Sequence, residues 1–374
     1  VKNAMKITLK RTEEQVELVK AMASKDRNVA YEAQLALAEF IGPLLAKVIN
    51  NAPTLSNLFT PFEFNSDDSP SIPLDLYYDI TAEDYIKVYT QTVPGGLPSN
   101  TVAPTQSEMK FTTYRLDSAI DFDKRYASRS RLDVVSKSFT RLAQEILLQQ
   151  ERTSANLILG TLVDQGREDD NGATGLEQTL LSTDNGRLVL HDFNRLLTRA
   201  KRISPSWSGG TPDSRSRGIT DLIVSPEVVQ SLREMAYNPI ATRNPDGTAI
   251  SDTSATGIPA TDSMREAIYG NGGIPEFYGV SIQEIYELGE SQKYTGIYNN
   301  LNNLKAGKKD LVIGLDKSRE SLMRAVAVDS VSGSSFNLLV DDQYVTRQQR
   351  IGYYGAMEEG RMILDSRAIL GIEV

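Results

Sequence analysis

Few side chains in this chain are equipped for chemistry. It has no cysteine and one histidine, His191. Thiol nucleophiles, disulfides and Cys-based zinc sites are thereby excluded. A triad would have to form around His191, which stands in VLHDFNRLL beside Asp192 and reads as a residue of a helix N-terminus. Adjacent carboxylates that could ligate Mg²⁺ or Ca²⁺ occur at Asp67–Asp68, Asp169–Asp170, Asp341–Asp342 and Glu358–Glu359. Three of these pairs sit in turn-like surroundings, where Asp is favoured for backbone reasons, and Asp341–Asp342 lies in a strand-like run. A solvated role is expected for all four. The cluster Gly270-Asn271-Gly272-Gly273 leads into Ile274-Pro275 and not into Lys-Ser/Thr and a helix, so it reads as a turn and not a phosphate cradle. Two basic stretches, Lys124-Arg125 with Arg129 and Arg131, and Arg195, Arg199, Lys201 and Arg202, lack the interleaved aromatics that stack bases. They could face solvent, phosphate or acidic patches of a neighbouring subunit. Trp207 lies in the loop SPSWSGGTPDS and carries no specific signal. No active site, cofactor or metal site is expected, and the chain is not read as an enzyme.

The elements that would position any site belong to an ordinary folded protein. The 374 residues are 40% hydrophobic and 24% charged, enough for two or three domains with a sizeable core. The formal net charge of -9 is unsuited to gripping nucleic acid by counterion release. It is compatible with enclosing it. No apolar run reaches the roughly 18 residues of a membrane span, and no h-region follows VKNAMKITLK, so neither a span nor a secretory signal is expected. No internal repeat is present.

Helical spacing opens the chain. Thr12-Glu13-Glu14 precedes Val16, Val19 and Met22 on one face, and a second run covers Asn28 to Asn50, with Pro43 expected to restart the helix. These helices would pack on the chain's own core or reach a neighbour as an arm. The period then changes to two: Ile72 to Thr92 and Glu108 to Asp123 read as the strands of a long hairpin, joined by TVPGGLPSNTVAPT. Each strand approaches about 15 residues against a usual 5–6, and such a hairpin has too little core of its own. It needs another surface to lie on. From Arg131 to Asp164, Leu132, Val135, Phe139, Leu142, Ile146, Leu157, Ile158 and Leu162 mark one long helix. His191 to Ile203 reads as a helix with a basic face. TDLIVSPEVVQSLREMA predicts a strand to Val224, Ser225 as N-cap, Pro226 at the first helical position and a helix to about Ala236. Residues Tyr237 to Pro275 are turn formers, of a length that suggests an interaction loop. Strands are expected at Val280–Tyr286, Asp310–Leu315, Leu322–Val331, Phe336–Thr346 and Arg350–Met357, with a strand-like stretch from Met362 to Val374.

This succession resembles that of the tailed-phage major capsid proteins, whose HK-phage type fold is shared with encapsulins. The resemblance covers nearly the whole chain and rests on order and spacing. IPLDLYYDITAEDYIKVYTQTV and MKFTTYRLDSAIDFDKRYA are similar to the extended loop, and RLDVVSKSFTRLAQEILLQQERTSANLILGTL to the spine helix. DLIVSPEVVQSLREM and GIPEFYGVSIQEI are similar to parts of the axial domain, and VDDQYVTRQQRIGYYGAMEEGRMILDSRAILGIEV to the terminal strands. The resemblance implies an α+β fold with a helical arm at 1–65, an extended loop at 66–124, a peripheral domain with the spine helix at 125–195, an axial domain at 196–332 and closing strands at 333–374.

It further implies pentamers and hexamers in an icosahedral virion shell that encloses packaged double-stranded DNA non-specifically and assembles in the host cytoplasm. Partners would be other copies in the same and neighbouring capsomers, with scaffold, portal and decoration proteins, and no membrane. Intersubunit contacts would involve Tyr85, Tyr89, Pro94, Leu97, Pro104, Phe111, Tyr114, Arg115, Lys124, Arg125 and Arg129. Some members crosslink through a loop Lys, a neighbour's Asn and a catalytic Glu. Here Thr92 to Gln106 contains no Lys, and Lys87 and Lys110 lie down the strands, so no residues are assigned to crosslinking. Two other readings are an encapsulin-like compartment with a cargo enzyme and a carboxylate-metal hydrolase built on one of the acidic pairs.

Overall fold

A computed structural model describes residues 12–50, 55–66, 68–73, 108–170, 177–203, 218–237, 276–329, 333–341 and 349–374. In chain order the helices are α1 (Glu13–Ala21), α2 (Arg27–Asn50), α3 (Lys124–Ser128), α4 (Leu132–Asp164), α5 (Leu190–Ile203), α6 (Pro226–Tyr237) and α7 (Lys293–Leu301). The strands are β1 (Thr60–Asn65), β2 (Ser71–Pro73), β3 (Glu108–Lys110), β4 (Thr113–Asp123), β5 (Thr179–Leu181), β6 (Asp221–Val224), β7 (Glu276–Phe277), β8 (Val280–Glu284), β9 (Leu311–Leu315), β10 (Leu322–Val328), β11 (Asn337–Asp341), β12 (Arg350–Ile363) and β13 (Ile369–Glu373). The fold is α+β. The chain forms two compact units, each assembled from separated segments: residues 1–72, 108–154 and 323–362 in the first, and 73–107, 155–322 and 363–374 in the second. Among the described residues no helix is long and apolar enough to cross a membrane.

The first unit is built on a mixed sheet whose central strand is β12. β12 pairs with β10 and β11, and antiparallel with β4 from Arg350↔Asp123 to Gly360↔Thr113. β1 closes one edge parallel to β10, from Thr60↔Met323 to Asn65↔Val328. The helices cover this sheet with apolar stripes at helical spacing. Val19 of α1 and Met22 at its C-terminal cap, Leu37, Ile41, Leu45 and Ile49 of α2, and Val135, Phe139, Leu142 and Ile146 of α4 share one core with Phe122, Phe336, Ile351, Tyr353 and Met357. The opening helices therefore pack on a core of their own chain. α2 runs through Pro43 without a break, against the expected restart. The missing proline N–H concerns the carbonyl of Glu39, on the exposed face, where water can replace the lost bond.

The stretch expected as one strand from Glu108 to Asp123 is two. β3 pairs with β2 in a small two-stranded ladder, whereas β4 pairs with β12. The alternation in MKFTTYRLDSAIDFD is real but serves two partners, which periodicity cannot distinguish. Residues 74–107 lie outside the described part. β1 falls inside the segment read as helical. β12 extends to Ile363, six residues beyond its expected end at Met357.

α4 carries 33 residues, about 50 Å at 1.5 Å per residue. Its Ala155, Ile158, Leu159 and Leu162 are buried in the second unit. That unit holds a six-stranded sheet in the order β5-β13-β9-β6-β8-β7. β6 and β8 are parallel, as are β5 and β13, while β9 is antiparallel to both β6 and β13. Phe193, Leu196, Ala200 and Ile203 of α5 and Val228, Val229 and Leu232 of α6 pack against it. The Ser-Pro start of α6 is as expected: Ser225 Oγ accepts from Val228 N at 3.2 Å. The terminal stretch Met362–Val374 holds the end of β12, a 3₁₀ turn at Ser366–Ala368 and β13.

Phe139 is fully buried, with its ring edge-on to Tyr353 at 5.2 Å. Phe139→Ala is expected to lower the unfolding free energy by about 3–5 kcal/mol in urea titrations. Leu148→Ala, at a side chain that is 42% exposed on the same helix, should change it by less than about 1 kcal/mol.

Candidate functional site

The residues with catalytic potential are dispersed, and Asp192, Asp169 and Asp170 have structural partners within the chain. His191 is the second residue of α5 and exposed. Its neighbour Asp192 is buried and accepts from the backbone N and Oγ1 of Thr183, both at 2.8 Å. Asp169 pairs with Lys305 at 3.2 Å, and Asp170 with Arg167 at 3.0 Å. Asp67 and Asp342 lie outside the described residues. Arg195 and Arg199 of the second basic stretch both face Glu168. Among the described residues no group of three His, Asp or Glu could hold a metal ion.

Glu358–Glu359 departs from the expectation of a solvated pair. Because β12 continues to Ile363, the two residues point to opposite faces, and Glu359 is fully buried. Glu359 Oε1 accepts from Tyr114 Oη at 2.6 Å. Its Oε2 accepts from Gln150 Nε2 and Arg324 Nε, each at 3.0 Å. Arg361 Nη2 lies 3.2 Å from Oε1. Arg361 also donates to Ser154 Oγ and, at 2.7 Å, to Ser56 Oγ, while its guanidinium lies 5.4 Å from the Phe59 ring centre. These donors occupy the lone pairs a metal would need, so the carboxylate holds the first unit together and is no Lewis-acid site. Beside it lies a cavity of about 700 Å³, lined by Ser56, Phe59, Glu63, Arg324, Val326 and Ser334 among others. Its lining holds serines and the carboxylate of Glu63, and no histidine.

Burial, and then the charge of Glu359, push the Tyr114 hydroxyl up to about 12. Burial holds the Arg324 guanidinium below its ordinary value, against the pull of Glu359.

The same cluster stands at the root of residues 74–107. Tyr114 is the second residue of β4. Just before it the chain changes partner: Phe111 N donates to Pro70 O at 3.0 Å, and the buried Phe111 ring stacks on Phe62 with centres 6.0 Å apart and planes 8° off parallel. Gly360, opposite Thr113, lies so close that a Cβ there would be 2.9 Å from Thr112 O.

Of the expected intersubunit residues, Phe111, Tyr114 and Lys124 direct their side chains to partners in their own chain, Lys124 through Nζ to Ser24 O at 2.9 Å. Arg115 is exposed, paired with Asp117 at 2.7 Å beside the Tyr354 ring, and Arg125 and Arg129 are exposed on and just after α3. Tyr85, Tyr89, Pro94, Leu97 and Pro104 lie outside the described residues. Sequence reasoning missed the Glu359 cluster. One signal was present: Arg324 interrupts the apolar run LMRAVAV and requires a buried partner.

No protein-family model matches the chain, and no curated protein matches it. Solved structures resemble it at low identity. The capsid of a native GTA particle has a TM-score of 0.47 at 11% identity, covering 86% of this chain and 89% of that one. The capsid of the cyanophage P-SCSP1u has a TM-score of 0.46 at 13%, covering 84% and 86%. The SrpI encapsulin of Synechococcus elongatus has a TM-score of 0.39 at 14%, covering 72% and 76%.

Glu359→Ala strands two buried guanidinium groups and is expected to cost roughly 3–5 kcal/mol of unfolding free energy in urea. Tyr114 is neutral in the fold with its value raised from 10.0 to about 12, so its contribution is complete below pH 10 and lost as pH rises through 12. Tyr114→Phe should therefore flatten the loss of stability between those pH values in alkaline denaturation curves.

Proposed function

We propose that this chain is a shell-building subunit, assembling as pentamers and hexamers into an icosahedral virion capsid around packaged double-stranded DNA. The observation that carries the reading is the way residues 74–107 are rooted. They depart between β2 and β3, a ladder of three residues on each side, next to the much longer ladder of β4 and β12. A segment of that length on so short a stem, with the Pro/Gly-rich TVPGGLPSNTVAPT at 92–105 towards its end, calls for a neighbour's surface. The order of helices, hairpin root, 33-residue helix and mixed sheets is the order the capsid reading requires.

Three further features support it. Asp169, Asp170 and Glu359, from two of the acidic pairs, are held in ion pairs within the chain. The net charge of -9 suits a wall that encloses DNA without binding it tightly. Exposed apolar side chains remain on α2, with Tyr31, Leu35, Phe40 and Leu44 each more than 40% exposed, as befits a surface covered in an assembly. Scaffold, portal and decoration proteins would complete the particle, and assembly would take place in the host cytoplasm.

Sedimentation velocity on the purified chain tests the reading. Capsomers or closed shells are expected, and a monomer that persists at high concentration would contradict it. Deleting Pro94–Pro104 should abolish large species while circular dichroism and thermal unfolding of the subunit stay close to those of the parent. Shells forming normally from the deletion variant would remove the segment from the intersubunit contact.

A further inference from the structure

The turn between β5 and α5 is pinned on both sides. Ser182 N donates to Glu373 O at 2.9 Å, and Asp192 accepts from Thr183 N and Oγ1, both at 2.8 Å. Lys308 Nζ donates to Ser182 O and Oγ, each at 2.7 Å, and to Asp184 O at 3.2 Å. On the far side Arg187 pairs with Glu234 at 2.9 Å, and Leu188 is buried. Between these anchors stand Asn185 and Gly186, both exposed. Gly186 has a φ of 74°, and a Cβ added to it would meet nothing within 4 Å. Among the described residues, Gly186 N donates no hydrogen bond and the Asn185 carboxamide makes none. That carboxamide only packs on Gly307, where a Cβ would lie 2.5 Å from Asn185 Nδ2.

We propose that Asn185 is a site of spontaneous covalent modification, in which the Asn185-Gly186 pair passes through a succinimide to aspartate and isoaspartate, and that the isoaspartate form loosens the turn. The nucleophile is Gly186 N. It attacks Asn185 Cγ and closes a five-membered ring, while the amide nitrogen leaves as ammonia with the proton lost from Gly186 N. Water then opens the ring at either carbonyl. The neighbour must be glycine for this to run readily, since no Cβ stands beside the attacking nitrogen. The exposed, unbonded carboxamide leaves Cγ open to it. Aspartate adds a charge and no length. Isoaspartate moves Cβ into the main chain, so the turn gains a carbon between Thr183 and Arg187 and cannot keep both anchors. The modification is a property of the folded chain and does not depend on the shell reading.

The test ages the full folded chain at mildly alkaline pH for days and follows it by peptide mapping and thermal unfolding. Fragment spectra separate Asn185 from Asn171 and Asn271, which also precede glycine. A mass gain of about 1 Da is expected at Asn185. Asn194, exposed but held within α5, is the internal control and should gain roughly tenfold less. Asn185→Gln, whose ring would be one atom larger, should slow the change at this position roughly tenfold or more. The aged parent is expected to melt a few degrees below the fresh parent, and aged Asn185→Gln to melt close to its own fresh sample. Fresh Asn185→Asp, which carries the charge without the extra carbon, should melt within about a degree of the fresh parent. A gain at Asn185 no larger than at Asn194 would overturn the site. Equal losses of melting temperature in the aged parent and aged Asn185→Gln would overturn its effect on the turn. Fresh Asn185→Asp melting as low as the aged parent would assign the effect to charge and overturn the isoaspartate account.

Discussion

The first unit depends on one buried carboxylate. Glu359 has no exposed surface, and taking a charge of that kind out of water costs several kcal/mol unless every lone pair is met. It is met by a phenol from β4, an amide from α4, and guanidinium groups from β10 and from β12 itself. Arg361 carries the connection on to Ser56, in the turn after α2. Apolar contacts alone would let these elements slide. A charged network with fixed donor directions favours one register, the use of buried polar groups with the best physical support.

The second unit repeats the device. Glu373 of β13 is fully buried and accepts from Arg167 Nη1 and Tyr298 Oη, both at 3.0 Å, and from the backbone N of Lys305 at 3.0 Å. Burial and the charge of Glu373 push the Tyr298 hydroxyl upward, as Glu359 does for Tyr114. In both units a late strand places a glutamate against an arginine and a tyrosine distant in sequence. Each glutamate thus ties together segments distant in sequence.

Much of this architecture was legible in the residues. The stripe from Leu132 to Leu162 marks α4, and Ser225-Pro226 marks the start of α6, because local spacing and capping chemistry decide both. β1 was not legible: TPFEFN has one buried side chain and owes its strand to parallel pairing with β10, some 260 residues away. Glu359 was misread for a related reason. Taken as neighbours, Glu358 and Glu359 look like a solvated pair, whereas alternation along GAMEEGRMI puts Met357, Glu359 and Arg361 on the same side of the strand. The split between β3 and β4 was hidden because period two records a strand and never its partner.

Among the described residues each unit has its own apolar core, and in each a buried glutamate pairs with an arginine. Negative-stain electron microscopy of the expressed chain tests the central claim most directly. The shell reading predicts closed, uniform particles with pentameric and hexameric capsomers. Fields showing only isolated subunits, at concentrations where sedimentation also finds monomer, would contradict it.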